Sequence, residues 1–307
     1  MTTDSTSLTT SRSDSLAAVV EMVTNAVSSD HTKRAYSRAL TEFIRWHGEA
    51  GRIGLDKATV NAYVTYLRSE GVPASSINQR LVAIRKLARE AADNGLIDYS
   101  TAEAIARAEG VRIEGKRLGN WLTQQQAQAL LDAPDTDSLK GMRDRAILAV
   151  LLGCGLRREE AASLTVEHLQ QREGRWVIVD LAGKRNKVRS VPMPSWAKYA
   201  VDTWLVAACI GSGVVFRPVN KGGRVQPGPM TAQAIYNTVS EYAANVGVTV
   251  HPHDLRRTFA KLAHKGNAPI EQIQLSLGHS SVQTTERYLG VTQDLHSAPC
   301  DVLGLRL

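Results

Sequence analysis

The sequence predicts a mostly α protein: a helical N-terminal domain followed by a larger, mainly α mixed domain that carries a small antiparallel β-sheet. Three observations lead there. Apolar residues recur at helical spacing from residue 16 to residue 108. Residues 109–120 (EGVRIEGKRLGN) are Gly-rich and charged, without periodicity, and read as a linker. From residue 121 onward, helical patterns are interrupted by two β-branched runs flanking a short polar turn. A chain of 307 residues is long enough for two cores.

Residues 1–15 are Ser/Thr-rich and nearly devoid of large apolar groups, the composition of a disordered tail. Leu16, Val19, Val20, Val23 and Val27 then mark a short amphipathic helix. A helix from Asp30 to Gly51 has Tyr36, Leu40, Phe43 and Ile44 as its stripe, and a second starts at Asp56 and stops at Gly71. A third opens at Ser75 and stops at Gly95, and a fourth covers Thr101 to Ala108. Capping residues at the starts and glycines at the stops set these limits. In the second domain, 121–307, Thr123 and Gln126 form a capping-box signature. An apolar helix from Arg143 to Leu152 breaks at Gly153–Gly155, and another begins near Arg158. Trp176–Val179 and Val188–Met193 are expected strands around a turn at Gly183–Lys187, with a further short strand at Val214–Phe216. Helices are expected at Pro194–Ala208, Thr231–Val246, Leu255–Lys265, Pro269–Leu277 and Ser280–Leu289.

Composition narrows the classes of function. The net charge is +7 with pI about 9.4. The first thirty residues carry −3, leaving +10 on the remainder, which fits a polyanionic partner, most simply nucleic acid. Cys154, Cys209 and Cys300 are widely separated, which argues against a disulfide framework or zinc cluster and for a reducing, cytoplasmic setting. No apolar run approaches bilayer length, and the N-terminus lacks a secretory pattern, so no membrane association is expected.

A series of polar residues carries the chemistry: Arg157 in GCGLRREEA, Lys184 in AGKRNKVRSVPM, His253 and Arg256 in HDLRR, His279 in LGH and Tyr288 in TTERYLG. Taken singly, each has an ordinary structural role. Arg157 can close a helix end or pair with Glu159 or Glu160, each histidine can make a structural hydrogen bond, and Tyr288 can simply pack. Taken together, two arginines, two histidines, a lysine and a tyrosine can surround a phosphodiester with positive donors and attack it with a phenol, without a metal. Lysine can yield a proton within an accessible pH range, and Lys187 competes with Lys184 for that role. Asp254 is the one carboxylate beside His253, too few ligands for a metal site. His279 and Tyr288 are nine residues apart and can face one cleft from the same short helix.

In these strings the chain resembles the tyrosine recombinases, the phage integrase family that includes the Xer-type chromosome-dimer resolvases. GLRREE resembles the first-arginine box, with Glu160 at the supporting acidic position, GKRNKVRSVPM the lysine hairpin, HDLRRTFA the His-x-x-Arg box, and LGHSSVQTTERYLG the terminal His-to-Tyr box. Ala161 stands where leucine is frequent, and Arg185 where a second glycine is frequent. The resemblance implies that 16–108 is a core-type DNA-binding domain and 121–307 the catalytic domain, the two clamping duplex DNA. It implies that Tyr288 forms a 3′-phosphotyrosine while Arg157 and Arg256 hold the non-bridging oxygens. Lys184 would protonate the leaving oxygen, His253 assist proton transfer from Tyr288, and His279 donate to the phosphate. Lys33, Arg34, Arg38, Arg80, Arg85, Lys86, Arg185, Lys187 and Arg257 are the further candidate DNA contacts. No cofactor is implied. The implied partner is double-stranded DNA, bound by a homotetramer; the apolar tail after Tyr288 either folds back on its own catalytic domain or, as the resemblance implies, docks on a neighbouring protomer. The alternatives are a type IB topoisomerase-like activity and a non-catalytic DNA-binding protein of the same fold.

Overall fold

The computed structural model describes residues 12–49, 51, 54–112, 120–182 and 188–289. The expected turn with Lys184, Arg185 and Lys187, and the tail from Gly290, lie outside the described residues. The chain divides into two compact units, 1–116 and 117–307, and the division falls within the expected linker.

The first unit holds α1 (Arg12–Asn25), α2 (Asp30–Glu49), α3 (Lys57–Ser69), α4 (Ala74–Asp93) and α5 (Tyr99–Ala106). Its core is the set of residues the helical spacing picks out: Leu40 and Phe43 from α2, Val60, Tyr63 and Leu67 from α3, and Ile77, Leu81, Ile84 and Leu87 from α4. Phe43 and Tyr63 meet edge to face at 5.0 Å, the arrangement aromatic quadrupoles prefer. Asp56 caps α3 by accepting from the Thr59 amide at 2.7 Å. Three limits differ from expectation. α1 begins at Arg12, inside the expected tail, and α5 begins and ends two residues early. The first residues of the expected linker are fixed to α4, because the Asn78 side chain donates to the Val111 carbonyl at 2.9 Å and accepts from its amide at 2.8 Å.

The second unit holds α6 (Gln124–Asp132), α7 (Leu139–Gly153), α8 (Arg158–Ala162), a 3₁₀ turn at Val166–His168, β1 (Leu169–Arg172), β2 (Arg175–Ala182), β3 (Val188–Pro192), α9 (Ser195–Ala207), α10 (Ala232–Asn245), α11 (Pro252–Lys265), α12 (Ile270–Leu277) and α13 (Val282–Leu289). α7 is the axis of the unit: Ala146 to Leu151 have no exposed surface, and the helix packs against α6, α9, α10 and α11. The sheet is antiparallel in the order β1-β2-β3, and Ile178 pairs with Leu169 on one side and Val191 on the other. Both bonds of the expected capping box at Thr123 are present. A second, smaller core of Ala260, Ile273, Leu277 and Leu289 joins α11, α12 and α13.

Two expectations are corrected here. β1 replaces the expected third strand. Its sequence LQQR has no alternation, and it pairs because Glu173 and Gly174 both take positive φ in a two-residue turn. Val214–Phe216 makes only an isolated bridge, Val214 with Thr165, because its backbone is satisfied elsewhere. The Val215 amide donates to Leu164 O and the Val215 carbonyl accepts from the Trp204 indole.

Gly141 occupies the third position of α7, where helix propensity alone favours alanine by about 1 kcal/mol. A Cβ there would overlap the Asp135 carbonyl oxygen. Gly141→Ala is therefore expected to destabilise the second unit by about 2 kcal/mol, the cost of overpacking against backbone. Urea unfolding compared with wild type measures it, and a stabilised variant would contradict the close approach.

Candidate active site

The site forms where α8, α11, α12 and α13 meet, and each of its side chains is placed by a helix end or a helix start. α7 stops at Gly153, and Gly155 turns the chain at φ +59°. Phe259 and Leu277 crowd that glycine, so a Cβ would meet Phe259 at 2.8 Å. The turn sends the Gly155 carbonyl inward and leaves Arg157 as the extended residue before α8. The Glu160 carboxylate reaches back to the Arg157 amide at 2.8 Å and takes its guanidinium at 2.6 Å. Of the two partners the spacing offered Arg157, Glu160 is the one used.

Glu160 has a second partner that sequence reasoning missed. Arg189 on β3 donates from both terminal nitrogens to the two carboxylate oxygens, each at 2.8 Å, and from Nε to the Ser276 carbonyl at 2.9 Å. Its sequence context of Lys and Arg residues on a hairpin reads as a solvated cationic edge; only the fold brings β3 to the end of α12. Burial pushes the Glu160 pKa up, but the hydrogen bonds from Arg189 and the Arg157 amide, with both positive charges, bring it down to about 2.

Arg256 is 1 % exposed. It donates to the Gly155 carbonyl at 2.5 Å and to the Leu277 carbonyl, the same oxygen that faces Arg157 at 3.5 Å. Three guanidinium groups thus surround one carboxylate and the last carbonyls of α12, the negative end of that helix dipole. Burial, then Arg157, pull the Arg256 pKa down to about 9, so it keeps its proton at neutral pH.

His279 follows Gly278, which ends α12 in the left-handed conformation. The expectation that His279 and Tyr288 share one helix is corrected: His279 lies in the turn, and α13 begins only at Val282. The left-handed glycine ends α12 just before His279, and the two rings still meet edge to face at 5.0 Å. His279 Nδ1 is bonded to the buried Thr285 hydroxyl at 2.9 Å, leaving Nε2 for a ligand. Burial, then Arg256 and Arg157, lower its pKa to about 4. The Tyr288 hydroxyl is hydrogen-bonded to His253 Nε2. Desolvation, then Arg257 and Arg256, lower the His253 pKa, so both histidines are neutral at neutral pH. Burial raises the Tyr288 pKa against the pull of Arg256, Arg257 and Arg157. His251 stands apart, its ring stacked on Tyr236 at 5.0 Å.

The structure therefore brings Arg157, Glu160, His253, Arg256, His279 and Tyr288 together. Lys184, Arg185 and Lys187 are outside the described residues. Among the further cations, Arg34 and Arg38 stand exposed one turn apart on α2 and line a groove between α2 and α4, and Lys33 beside them is half-buried. The other three of that unit are engaged internally: Arg80 with Glu42 at 2.7 Å, Lys86 with Glu90 at 2.5 Å, and Arg85 with the Ala108 carbonyl at 2.5 Å. Arg257 lies over the Tyr288 ring. Among the described residues, no group of three or more His, Cys, Asp or Glu side chains is placed to hold a metal ion, and no helix is long and apolar enough to cross a membrane.

A helical N-terminal unit followed by a mainly α unit, with a phenol set against an arginine cradle, defines the class of DNA strand-transfer enzymes that use tyrosine. The chain belongs to the phage integrase family: the family model matches residues 120–294, and the phage integrase N-terminal SAM-like domain matches residues 21–95. It is 32% identical to tyrosine recombinase XerD of Pseudomonas aeruginosa over 282 residues, covering 87% of this chain and 90% of that protein. It is 30% identical to tyrosine recombinase XerC of Xylella fastidiosa over 272 residues, covering 85% and 86%. The fold is shared with XerH site-specific recombinase bound to palindromic difH substrate in a post-cleavage complex (TM-score 0.68, 18% identity, 84% of this chain and 76% of that one). It is shared also with a lambda integrase dimer bound to a COC′ core site (TM-score 0.69, 16% identity, 93% and 79%). The chain is a tyrosine site-specific recombinase.

Because the Glu160 pKa is depressed, its contribution to stability is fully present above the unfolded carboxylate pKa and is lost as pH falls toward about 2. Glu160→Gln should unfold more easily by about 3 kcal/mol at pH 7, with the difference shrinking between about pH 4 and pH 2. Urea midpoints of both proteins across that range test the sign; a constant difference would contradict it.

Proposed function

We propose that the chain cleaves and rejoins double-stranded DNA with Tyr288 as nucleophile. The carrying observation is the convergence of Arg157 and Arg256 on the Leu277 carbonyl beside a Tyr288 hydroxyl bonded to His253. Three guanidinium groups and one carboxylate leave a net charge near +2, matched to the negative charge that builds on a phosphorane.

In this reading the scissile phosphate displaces the Leu277 carbonyl as acceptor, and the two arginine forks take its non-bridging oxygens. The Tyr288 oxygen attacks phosphorus while its proton passes to His253 Nε2, which is neutral and able to accept it. An Oη–P bond forms, the P–O5′ bond breaks, and Lys184 gives the leaving 5′-oxygen its proton. His279 donates from Nε2 to a phosphate oxygen. The 3′-phosphotyrosine conserves the phosphodiester bond for rejoining to another strand by the reverse of these steps. Glu160 and Arg189 position Arg157. Arg34 and Arg38, with Lys33 beside them, contact the DNA backbone from the first unit. Strand exchange takes place in a homotetramer, with Leu295, Val302, Leu303, Leu305 and Leu307 of the tail docking on a neighbouring protomer; the apolar character of that tail supports this assembly.

A nicked duplex carrying the recombination site tests the assignment. Tyr288→Phe should bind it and form no covalent complex, and Arg256→Lys should cleave roughly a hundredfold more slowly, since charge is kept and the fork is lost. A 5′-phosphorothiolate at the cleaved bond should restore Lys184→Ala, because sulfur leaves without a proton. It should not restore Arg256→Ala. Rescue of Lys187→Ala, with none for Lys184→Ala, would move the proton donor to Lys187.

A further inference from the structure

Among the described residues, Arg257 is the cation beside the site that has no place in the steps above. It follows Arg256 on α11 but points differently: its guanidinium carbon lies 5.2 Å from the centroid of the Tyr288 ring, within the range of a cation–π contact. Asp254, one turn earlier, holds it from the other side at 3.5 Å, and Asp254 is fixed in turn by accepting from the His251 amide at 3.0 Å. The side chain is 26% exposed, so water screens it only in part. Among the described residues, the charged and titratable groups facing Tyr288 are His253, Arg256 and Arg257 from α11, His279 from the turn after α12, and Arg157 from the start of α8.

These cations divide once DNA is bound. The phosphate that Arg157 and Arg256 grip offsets their charge, so they attract a phenolate less than they do in the free protein. Arg257 faces the ring with Asp254 as its partner in the free protein already, so its attraction for a phenolate is not the one that the gripped phosphate offsets. Resting on the reading that Tyr288 is the nucleophile, we propose that Arg257 is a positioning residue for that tyrosine, holding its ring and stabilising the phenolate as the proton leaves, and not a contact to the DNA backbone. Attraction of a guanidinium to a neutral ring is modest, whereas its attraction to a phenolate is that of an ion pair, so the interaction strengthens along the reaction. Arg257 also keeps His253 in the neutral form that accepts the proton, since its charge is among the causes that lower the His253 pKa. Both effects act in one direction: they extend cleavage to lower pH.

The test is single-turnover cleavage of the nicked substrate between about pH 5 and pH 9 by wild type, Arg257→Gln and Arg257→Lys, with DNA affinity measured at several salt concentrations. Arg257→Gln should move the acid limb of the rate upward by about one pH unit, as expected for loss of a cation within reach of the titrating group. Near pH 6 it should cleave about tenfold more slowly, recovering at high pH. Arg257→Lys should keep most of the wild-type profile. In the free protein, ¹³Cζ-tyrosine NMR should show the Tyr288 resonance, assigned with Tyr288→Phe, titrating at higher pH in Arg257→Gln. An unmoved acid limb and an unmoved tyrosine titration would overturn the proposal. If, in addition, affinity fell and its salt dependence weakened by about one phosphate contact, Arg257 would be a backbone contact. A rate lowered equally at every pH would assign it to folding alone, and that too overturns the proposal. Wild type lacking any Tyr288 adduct would instead overturn the underlying nucleophile assignment.

Discussion

The site depends on one cluster: the Glu160 carboxylate and the last two carbonyls of α12, gripped by Arg157, Arg189 and Arg256. Three guanidinium groups cannot sit this close in a buried setting without anionic partners, because desolvation and mutual repulsion both oppose them. The carboxylate supplies one full charge and the helix end supplies partial charge and directed lone pairs. The cluster also ties together pieces far apart in sequence. Glu160 belongs to α8, Arg189 to β3, Arg256 to α11, and the carbonyls to α12. Gly278 completes it, since a Cβ there would meet the Arg189 side chain at 2.8 Å. Loss of Glu160 would therefore loosen the hairpin strand as well as Arg157.

Burial first, and then the excess of positive charge, set the protonation states around it. Both histidines are held neutral by desolvation and by the arginines, which suits one to accept a proton and the other to donate a neutral N–H. The phenol is pulled two ways. Burial keeps it protonated at rest, and the cations lower the cost of its ionisation. That balance suits the nucleophile role proposed for Tyr288.

Much of this was legible in the sequence. The helices of both units follow from apolar spacing and capping chemistry, and Thr123 with Gln126 is a case where both expected bonds form. Arg157, Glu160, His253, Arg256, His279 and Tyr288 stood out because their residue types suit one reaction and occur in one order. Other features were hidden for physical reasons. β1 is polar and owes its existence to a turn with a glutamate at positive φ, a conformation that composition does not signal. Arg189 sits 29 residues from Glu160 and 87 from Ser276, so nothing local marks it as different from the cations around it. Arg85, one of the candidate DNA contacts, is engaged internally, because it donates to the Ala108 carbonyl just past the end of α5. Arg257 is among the candidate DNA contacts, and its place over the Tyr288 ring follows only from the docking of α13.

Mass spectrometry of the covalent complex trapped on a nicked duplex tests the central claim most directly. Proteolysis should release a peptide in which Tyr288, and no other residue, carries the 3′-phosphate of the cleaved strand, with a free 5′-hydroxyl on the released end. An adduct on a different side chain, or a linkage to the 5′-phosphate, would contradict it.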